Sequence, residues 1–186
     1  MPILGIDPGF ASLGTALLSG INRGEGHLSP FFTGVDICRT QKNKNKVLRW
    51  DDNVARCRKI HSYLTRIVEY NDIYLIAVEA ESWTRTASDK QLGLARGVIY
   101  SIAAARDIPL IQITSTDVKH FLCGKRNASK GDVLEALSAR TNLEKELAYL
   151  PRGQWQHAAD AAGCALHAWE CSELARLYRR AREQTT

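Results

Sequence analysis

Apolar and polar positions divide the chain into runs of two different periods. Ile3 to Ile6 is an apolar run that ends at Asp7-Pro8-Gly9, and Pro-Gly is turn chemistry. Leu13 to Leu18 is a second β-like run, followed by the turn Asn22-Arg23-Gly24-Glu25-Gly26. Leu28 to Cys38 is a third. Three strands joined by tight turns predict an antiparallel meander. Val54, Cys57, Ile60, Leu64, Ile67 and Val68 then recur at spacings of three and four, which predicts a helix. Ile73 to Val78 is continuously apolar, as in a strand buried on both faces, and it ends at Glu79.

Further helices follow. Ser88 is placed to cap one running to about Arg106, with Gly93 and Gly97 one turn apart on it. Pro109 to Ile113 reads as a fifth strand. Thr116 is expected to cap a short helix closed by Gly124. Ser129-Lys130-Gly131-Asp132 has a capping-box pattern and starts a helix to about Ala148. After Pro151-Arg152-Gly153, a last helix is expected from about Trp155 towards Arg182, its end strongly basic. The order is β-β-β-α-β-α-β with the remaining helices after it. This is an α/β fold: a mixed five-stranded sheet, an antiparallel meander plus two parallel strands, flanked by helices. Right-handed crossovers put the Ile73–Val78 strand beside the first.

Length and composition narrow the classes. With 186 residues, 45% hydrophobic and 24% charged, the chain is expected to form a single domain over residues 1–186, its basic C-terminal helix end near 176–186. Disordered, collagen-like and coiled-coil classes are excluded. No apolar run approaches the ~20 residues of a membrane span, and no signal peptide is legible at Met1. The five cysteines are odd in number and include no CxxC pair, so reduced thiols in a cytoplasmic protein are expected. A net charge of +5 is compatible with nucleic acid without establishing it. Lys42, Lys44 and Lys46 alternate with other polar residues; a solvated loop is the slightly favoured reading over a phosphate clamp.

Carboxylates supply the candidate chemistry. Asp7 and Glu79 end two buried strands that the topology makes neighbours. Ionisable groups there are costly unless paired, solvated or metal-bound. Asp7 alone in Asp-Pro-Gly reads as a turn residue; two such groups on adjacent strands suggest a site. His157 and Asp160 are three apart and share a helix face. Alone they read as a surface pair. The small residues around them, Ala158, Ala159, Ala161, Ala162, Gly163 and Ala165, let that helix press onto the sheet. Together the four make an oxygen-rich set suited to Mg²⁺ or Mn²⁺.

On these residues the sequence resembles the RuvC Holliday-junction resolvases of the RNase H-like superfamily, from Ile3 to about Trp169. Ile3-Leu4-Gly5-Ile6-Asp7-Pro8-Gly9 resembles the opening strand with its first catalytic aspartate. Ala77-Val78-Glu79 resembles the strand carrying the catalytic glutamate. Leu92-Gly93-Leu94-Ala95-Arg96-Gly97 resembles the following helix, and Gln156-His157-Ala158-Ala159-Asp160-Ala161 the final catalytic helix, whose first acidic position is Asp or His. Val118-Lys119 and Ser129-Lys130 match two active-site lysines. Two features depart from the family pattern. The Asp36–Asp52 segment is longer, and Trp83 is the nearest candidate for the aromatic that stacks at the junction centre, with Glu81 close to the site.

The resemblance implies a metal-dependent endonuclease that resolves four-way DNA junctions by paired symmetric nicks, leaving 5′-phosphate and 3′-hydroxyl ends. Asp7, Glu79, His157 and Asp160 would be the metal ligands, for Mg²⁺ or Mn²⁺, two per site. Lys119 and Lys130 would stabilise the scissile phosphate. Trp83, Arg85, Lys90, Lys119, Arg126 and Lys130 would contact DNA. Two symmetric cuts imply a homodimer, with the Ser88–Arg106 helix as candidate contact. A branch-migration motor is a further expected partner, and the setting is a bacterial cytoplasm or a phage-infected cell. The alternative within nucleases is a phage-type enzyme that also cuts forks and flaps. Outside them, an actin-like ATPase would need a second domain, and no GxxxxGK[ST] loop is present. A non-catalytic junction binder would have no use for the clustered acids.

Overall fold

The computed structural model of the chain describes residues 2–22, 28–43, 48–80 and 89–183. Five strands, β1 (Ile3–Asp7), β2 (Ser12–Asn22), β3 (Leu28–Arg39), β4 (Leu75–Glu79) and β5 (Leu110–Ile113), form one sheet in the order β3-β2-β1-β4-β5. β1 pairs antiparallel with β2 and parallel with β4. β4 pairs parallel with β5. The expected mixed sheet and the pairing of the first and fourth strands are both present.

Side-chain alternation along the sheet creates two cores. Ile3, Leu75 and Ala77 face one side, with Ala158, Ala161, Ala162 and Ala165 of α6 (Trp155–Cys171). Leu4, Ile6, Ile76 and Val78 face the other, with Ile60 and Leu64 of α1 (Arg49–Tyr70) and Ala95, Ile99 and Ile102 of α2 (Asp89–Ala105). Continuing the alternation by one residue puts both Asp7 and Glu79 on the α6 side.

The C-terminal half differs from expectation in three places. The cap of α3 (Ser115–Cys123) is Thr114, not Thr116: its side chain accepts from the Asp117 amide. The helix begun by Ser129 has the expected capping box, but α4 (Lys130–Arg140) stops before a separate α5 (Leu143–Leu147). Thr141 takes an extended backbone, and its hydroxyl donates to the Leu137 carbonyl. The Asn142 side chain accepts from Phe32 N at 2.8 Å and donates to Phe32 O at 2.9 Å, covering the backbone of the edge strand β3. Two backbone partners on β3 outweigh helix continuation there. The last helix is likewise two. Ser172 is extended between α6 and α7 (Glu173–Glu183), and its hydroxyl accepts from the Ala175 amide. No helix among the described residues is long and apolar enough to cross a membrane.

Candidate active site

Glycines set the height of α6 above the sheet. A Cβ on Gly5 would stand 2.1 Å from the carbonyl oxygen of Ala161, and one on Gly14 would stand 2.2 Å from that of His157. No side chain fits at either position, so helix backbone lies directly on strand backbone. This brings the short side chains of His157 and Asp160 to the ends of β1 and β4. On the helix's far side, a Cβ at Gly163 would meet Val118 of α3 at 2.7 Å, so α3 is also drawn close.

The four expected residues converge. His157 Nδ1 donates to Asp7 Oδ2 at 2.6 Å, across 150 residues of sequence. Asp7 is buried, and Asp160 and Glu79 are partly buried beside it. Burial pushes the Glu79 carboxyl up to about 7, and the charges of Asp7 and Asp160 add to the rise while Arg96 opposes it. Asp160 is raised by burial and then by Asp7; the hydrogen bond from Gln156 Nε2 at 3.4 Å works against this. The hydrogen bond to Asp7 raises the His157 imidazole, against the effect of burial. Behind them Cys164 is held well above its usual range by burial, with the three carboxylates adding. It is a buried, inert thiol.

Buried carboxylates that also repel one another are what a divalent cation stabilises, and carboxylate oxygens are the donors Mg²⁺ and Mn²⁺ prefer. The donor set therefore fits. The side chains are gathered rather than closed: among the described residues no three His, Cys, Asp or Glu groups already surround a common point. His157 occupies the Asp7 carboxylate instead.

The other expected residues are distributed more widely. Lys130, the first residue of α4, is near enough to lower both His157 and Asp160 electrostatically. Lys119 is half-buried on α3, next to the Val118 that packs at Gly163. Lys90 and Arg126 are exposed. Trp83, Arg85 and Glu81 lie outside the described residues, as does the expected cap Ser88.

Three contributors were not singled out as site residues in the sequence. Arg96 of α2 is buried, and its Nη2 donates to the Glu79 carbonyl at 3.1 Å. Gln156 reaches Asp160 one turn along the same helix. Gly14 admits the first turn of α6. A glycine inside a strand signals close backbone approach, and that was the available clue for Gly14. Nothing local distinguishes Arg96 from a surface arginine.

The family model for the crossover junction endodeoxyribonuclease RuvC matches residues 3–167. The chain belongs to the RuvC family. A RuvC of Prochlorococcus marinus (strain MIT 9303) is 31% identical over 169 residues, covering 91% of this chain and 98% of the relative. Among solved structures, Thermus thermophilus RuvC superposes with a TM-score of 0.72 at 24% identity, covering 96% of this chain and 98% of that one. T. thermophilus RuvC in complex with Holliday junction substrate matches with a TM-score of 0.72 at 23% identity, covering 95% and 96%. The fold is therefore the RNase H-like fold of RuvC, and the four converging residues lie inside the segment the family model matches.

Proposed function

We propose that this chain is a metal-dependent endonuclease that resolves four-way DNA junctions by paired symmetric nicks, with Asp7, Glu79, Asp160 and His157 as its metal-holding set. One observation carries the site assignment: three carboxylates from β1, β4 and α6 meet at one end of the sheet, where burial first and then the charges of Asp7 and Asp160 push Glu79 up to about 7. A stable fold does not need such a cluster, whereas a nuclease centre does. Membership of the RuvC family supplies the reaction class, phosphodiester hydrolysis at a crossover.

Asp7, which interacts electrostatically with both Glu79 and Asp160, would hold the metal together with them. Divalent ions so held, Mg²⁺ or Mn²⁺, would activate a water and stabilise the leaving 3′-oxygen. His157 would release Asp7 and turn to a ligand or phosphate-positioning role. Gln156 fixes the Asp160 carboxylate, and Arg96 holds the end of β4. Lys130 and Lys119 flank the centre and would neutralise charge on the scissile phosphate. Exposed Lys90 and Arg126, with Trp83 and Arg85, would contact the DNA arms and the crossover.

Paired cuts require two centres, and we assign the homodimer contact to α2. Among the described residues, nothing lies within 4 Å of where a Cβ on Gly93 or Gly97 would stand. These glycines pack against none of the described residues of the monomer. Together with Leu94 and Tyr100, both partly exposed, they present a surface that a second α2 can approach closely.

The test is a labelled four-way junction and a linear duplex of the same sequence, each with Mg²⁺, Mn²⁺ or EDTA, run on a denaturing gel. Paired symmetric nicks in the junction alone, dependent on metal, are expected. Cutting of forks and flaps at similar rates would indicate a broader branched-DNA enzyme. Tight junction binding without cutting under any metal would sink the catalytic assignment.

A further inference from the structure

An open cavity of about 880 Å³ lies where β3 ends and α1 begins, lined by Arg39, Thr40, Lys42, Asp52, Arg56 and Lys59, among others. It takes in the start of the lysine-alternating loop seen in the sequence. Its floor is fixed by a buried guanidinium. Arg56 stacks over the Phe10 ring, with its carbon 4.1 Å from the ring centroid. Its Nε donates to Thr40 Oγ1 at 2.8 Å and its Nη2 donates to the Phe10 carbonyl at 3.3 Å. Thr40 in turn donates to the same carbonyl. The corner between β3 and α1 is thereby locked to the turn that follows Asp7.

The charge around this floor is uneven. Four cations, Arg39, Lys42, Arg56 and Lys59, face two carboxylates, Asp51 and Asp52. Asp52 is already engaged, accepting from the Asn43 amide at 2.9 Å and lying 3.8 Å from Arg56 Nη1. Arg39, Lys42 and Lys59 are exposed and form no ion pair among the described residues. Around a fixed floor, three exposed cations outnumber the one remaining carboxylate, Asp51, which is an anion-binding arrangement.

Its position narrows the anion. Asp7 pairs with Gly14, Gly14 pairs with Ile37, and Arg39 lies two residues further along β3. The cavity and the carboxylates therefore share one end of the sheet, two strands apart, the cavity on its α1 side and the carboxylates on its α6 side. At ~4.8 Å per strand the ends of β1 and β3 are about 10 Å apart, so a DNA strand crossing this end of the sheet spans them with a few phosphates.

We propose that this cavity is a backbone-phosphate subsite that grips a DNA arm beside the cleavage centre through Arg39, Lys42 and Lys59. It rests on the reading that the chain acts on DNA, and it gives the long β3–α1 connection a role separate from chemistry. The contacts are to phosphates, so they add affinity without reading sequence.

Equilibrium binding to a four-way junction and to a linear duplex, both in EDTA over a salt series, tests this. Lys42→Gln and Lys59→Gln should each weaken binding to both DNAs and lower the slope of log K against log salt by about 0.9, and the double variant by about twice that. Lys145→Gln, on α5 near the opposite end of β3, is the control for net charge and should leave the slope in place. Equal changes in the control, or unchanged slopes in the Lys42 and Lys59 variants, would overturn the subsite. Inorganic phosphate that raises the melting temperature of the parent protein but not of the double variant, with DNA slopes unchanged, would make it a small-anion site and overturn the DNA assignment. Failure of the parent protein to prefer the junction would count against the resolvase reading, while the duplex slopes would still decide the subsite.

Discussion

Gly14 of β2 lies so close beneath the first turn of α6 that a Cβ there would stand 2.2 Å from the carbonyl oxygen of His157. The obstacle is backbone, not the end of a flexible side chain, so Gly14→Ala must lift the helix or bend the strand. Overpacking of this kind costs about 1–3 kcal/mol. The larger effect falls on chemistry, because the same turn carries His157 and leads to Asp160. A displacement of about 1 Å at a catalytic group costs about 100-fold in rate. The variant should remain folded by circular dichroism, melt at a lower temperature, and cut junctions about 100-fold more slowly. A folded Gly14→Ala protein with the parent cutting rate would show that the height of α6 does not position the site.

Asp7 faces both Glu79 and Asp160 and accepts from His157. Asp7→Asn keeps the shape and the hydrogen-bond acceptor but removes the charge that a divalent ion needs. Cutting should fall by more than about 100-fold, the scale of losing a group used in the transition state. Junction binding in EDTA should persist. The rise in melting temperature on adding Mg²⁺ should shrink, which separates loss of metal from loss of fold. A variant that loses junction binding and cutting together while folded would count against the ligand role.

Lys130 and Lys119 divide in their relation to the site. Lys130 is within electrostatic reach of His157 and Asp160, whereas Lys119 stands on α3 beside the Val118 contact to Gly163. Single-turnover cutting should slow by about 10-fold or more for Lys130→Ala and by less for Lys119→Ala, since removing a single donor aimed at the transition state costs up to about 100- to 1,000-fold. Equal, unimpaired rates would remove both lysines from the reaction.

Much of this site was legible because strand ends are easy to read. Asp7 and Glu79 each close an apolar run, and alternation alone puts them on one sheet face. His157 and Asp160 share a helix face by spacing. The breaks at Thr141 and Ser172 were not legible, because tertiary contacts decide them: Asn142 is claimed by Phe32 of β3, 110 residues away. Arg96 was missed for the same reason. Its burial and its bond to the Glu79 carbonyl depend on how α2 crosses β4, which no local pattern records. The small residues of α6 were read as the cause of its close approach, yet the strand glycines Gly5 and Gly14 are equally required.

The outer face of α2 gives a prediction whose two parts have opposite signs. Glycine inside a helix is worth about 1 kcal/mol less than alanine, and a Cβ at Gly97 meets nothing among the described residues. Gly97→Ala should therefore raise the stability of an isolated monomer. A larger residue, as in Gly97→Gln, should hold two α2 helices apart. Sedimentation should show dissociation of the Gln variant at concentrations where the parent is dimeric, and its junction nicks should become unpaired. A Gln variant that stays dimeric and makes paired nicks would move the dimer contact away from Gly97.

Three groups at the centre bind protons more tightly in the folded chain than they ordinarily do: Glu79 and Asp160, raised first by burial, and His157, raised first by its bond to Asp7. A group whose folded pKa is raised binds more protons folded than unfolded, so stability falls as pH rises through the window between the two values. For Glu79 that window runs from 4.5 to about 7. The stabilising effect of charged His157 is complete below its ordinary value of 6.5 and is lost as pH passes the raised one. All three act in the same direction. In EDTA the melting temperature should fall as pH rises through this range, because deprotonation leaves carboxylates facing one another. Mg²⁺ held by these groups would take the place of the lost protons, so the melting temperature gained on adding it should be larger above pH 7 than near pH 5. Thermal melts with and without Mg²⁺ across this range measure the difference. A metal-induced gain of equal size at every pH would show that the ion is held elsewhere.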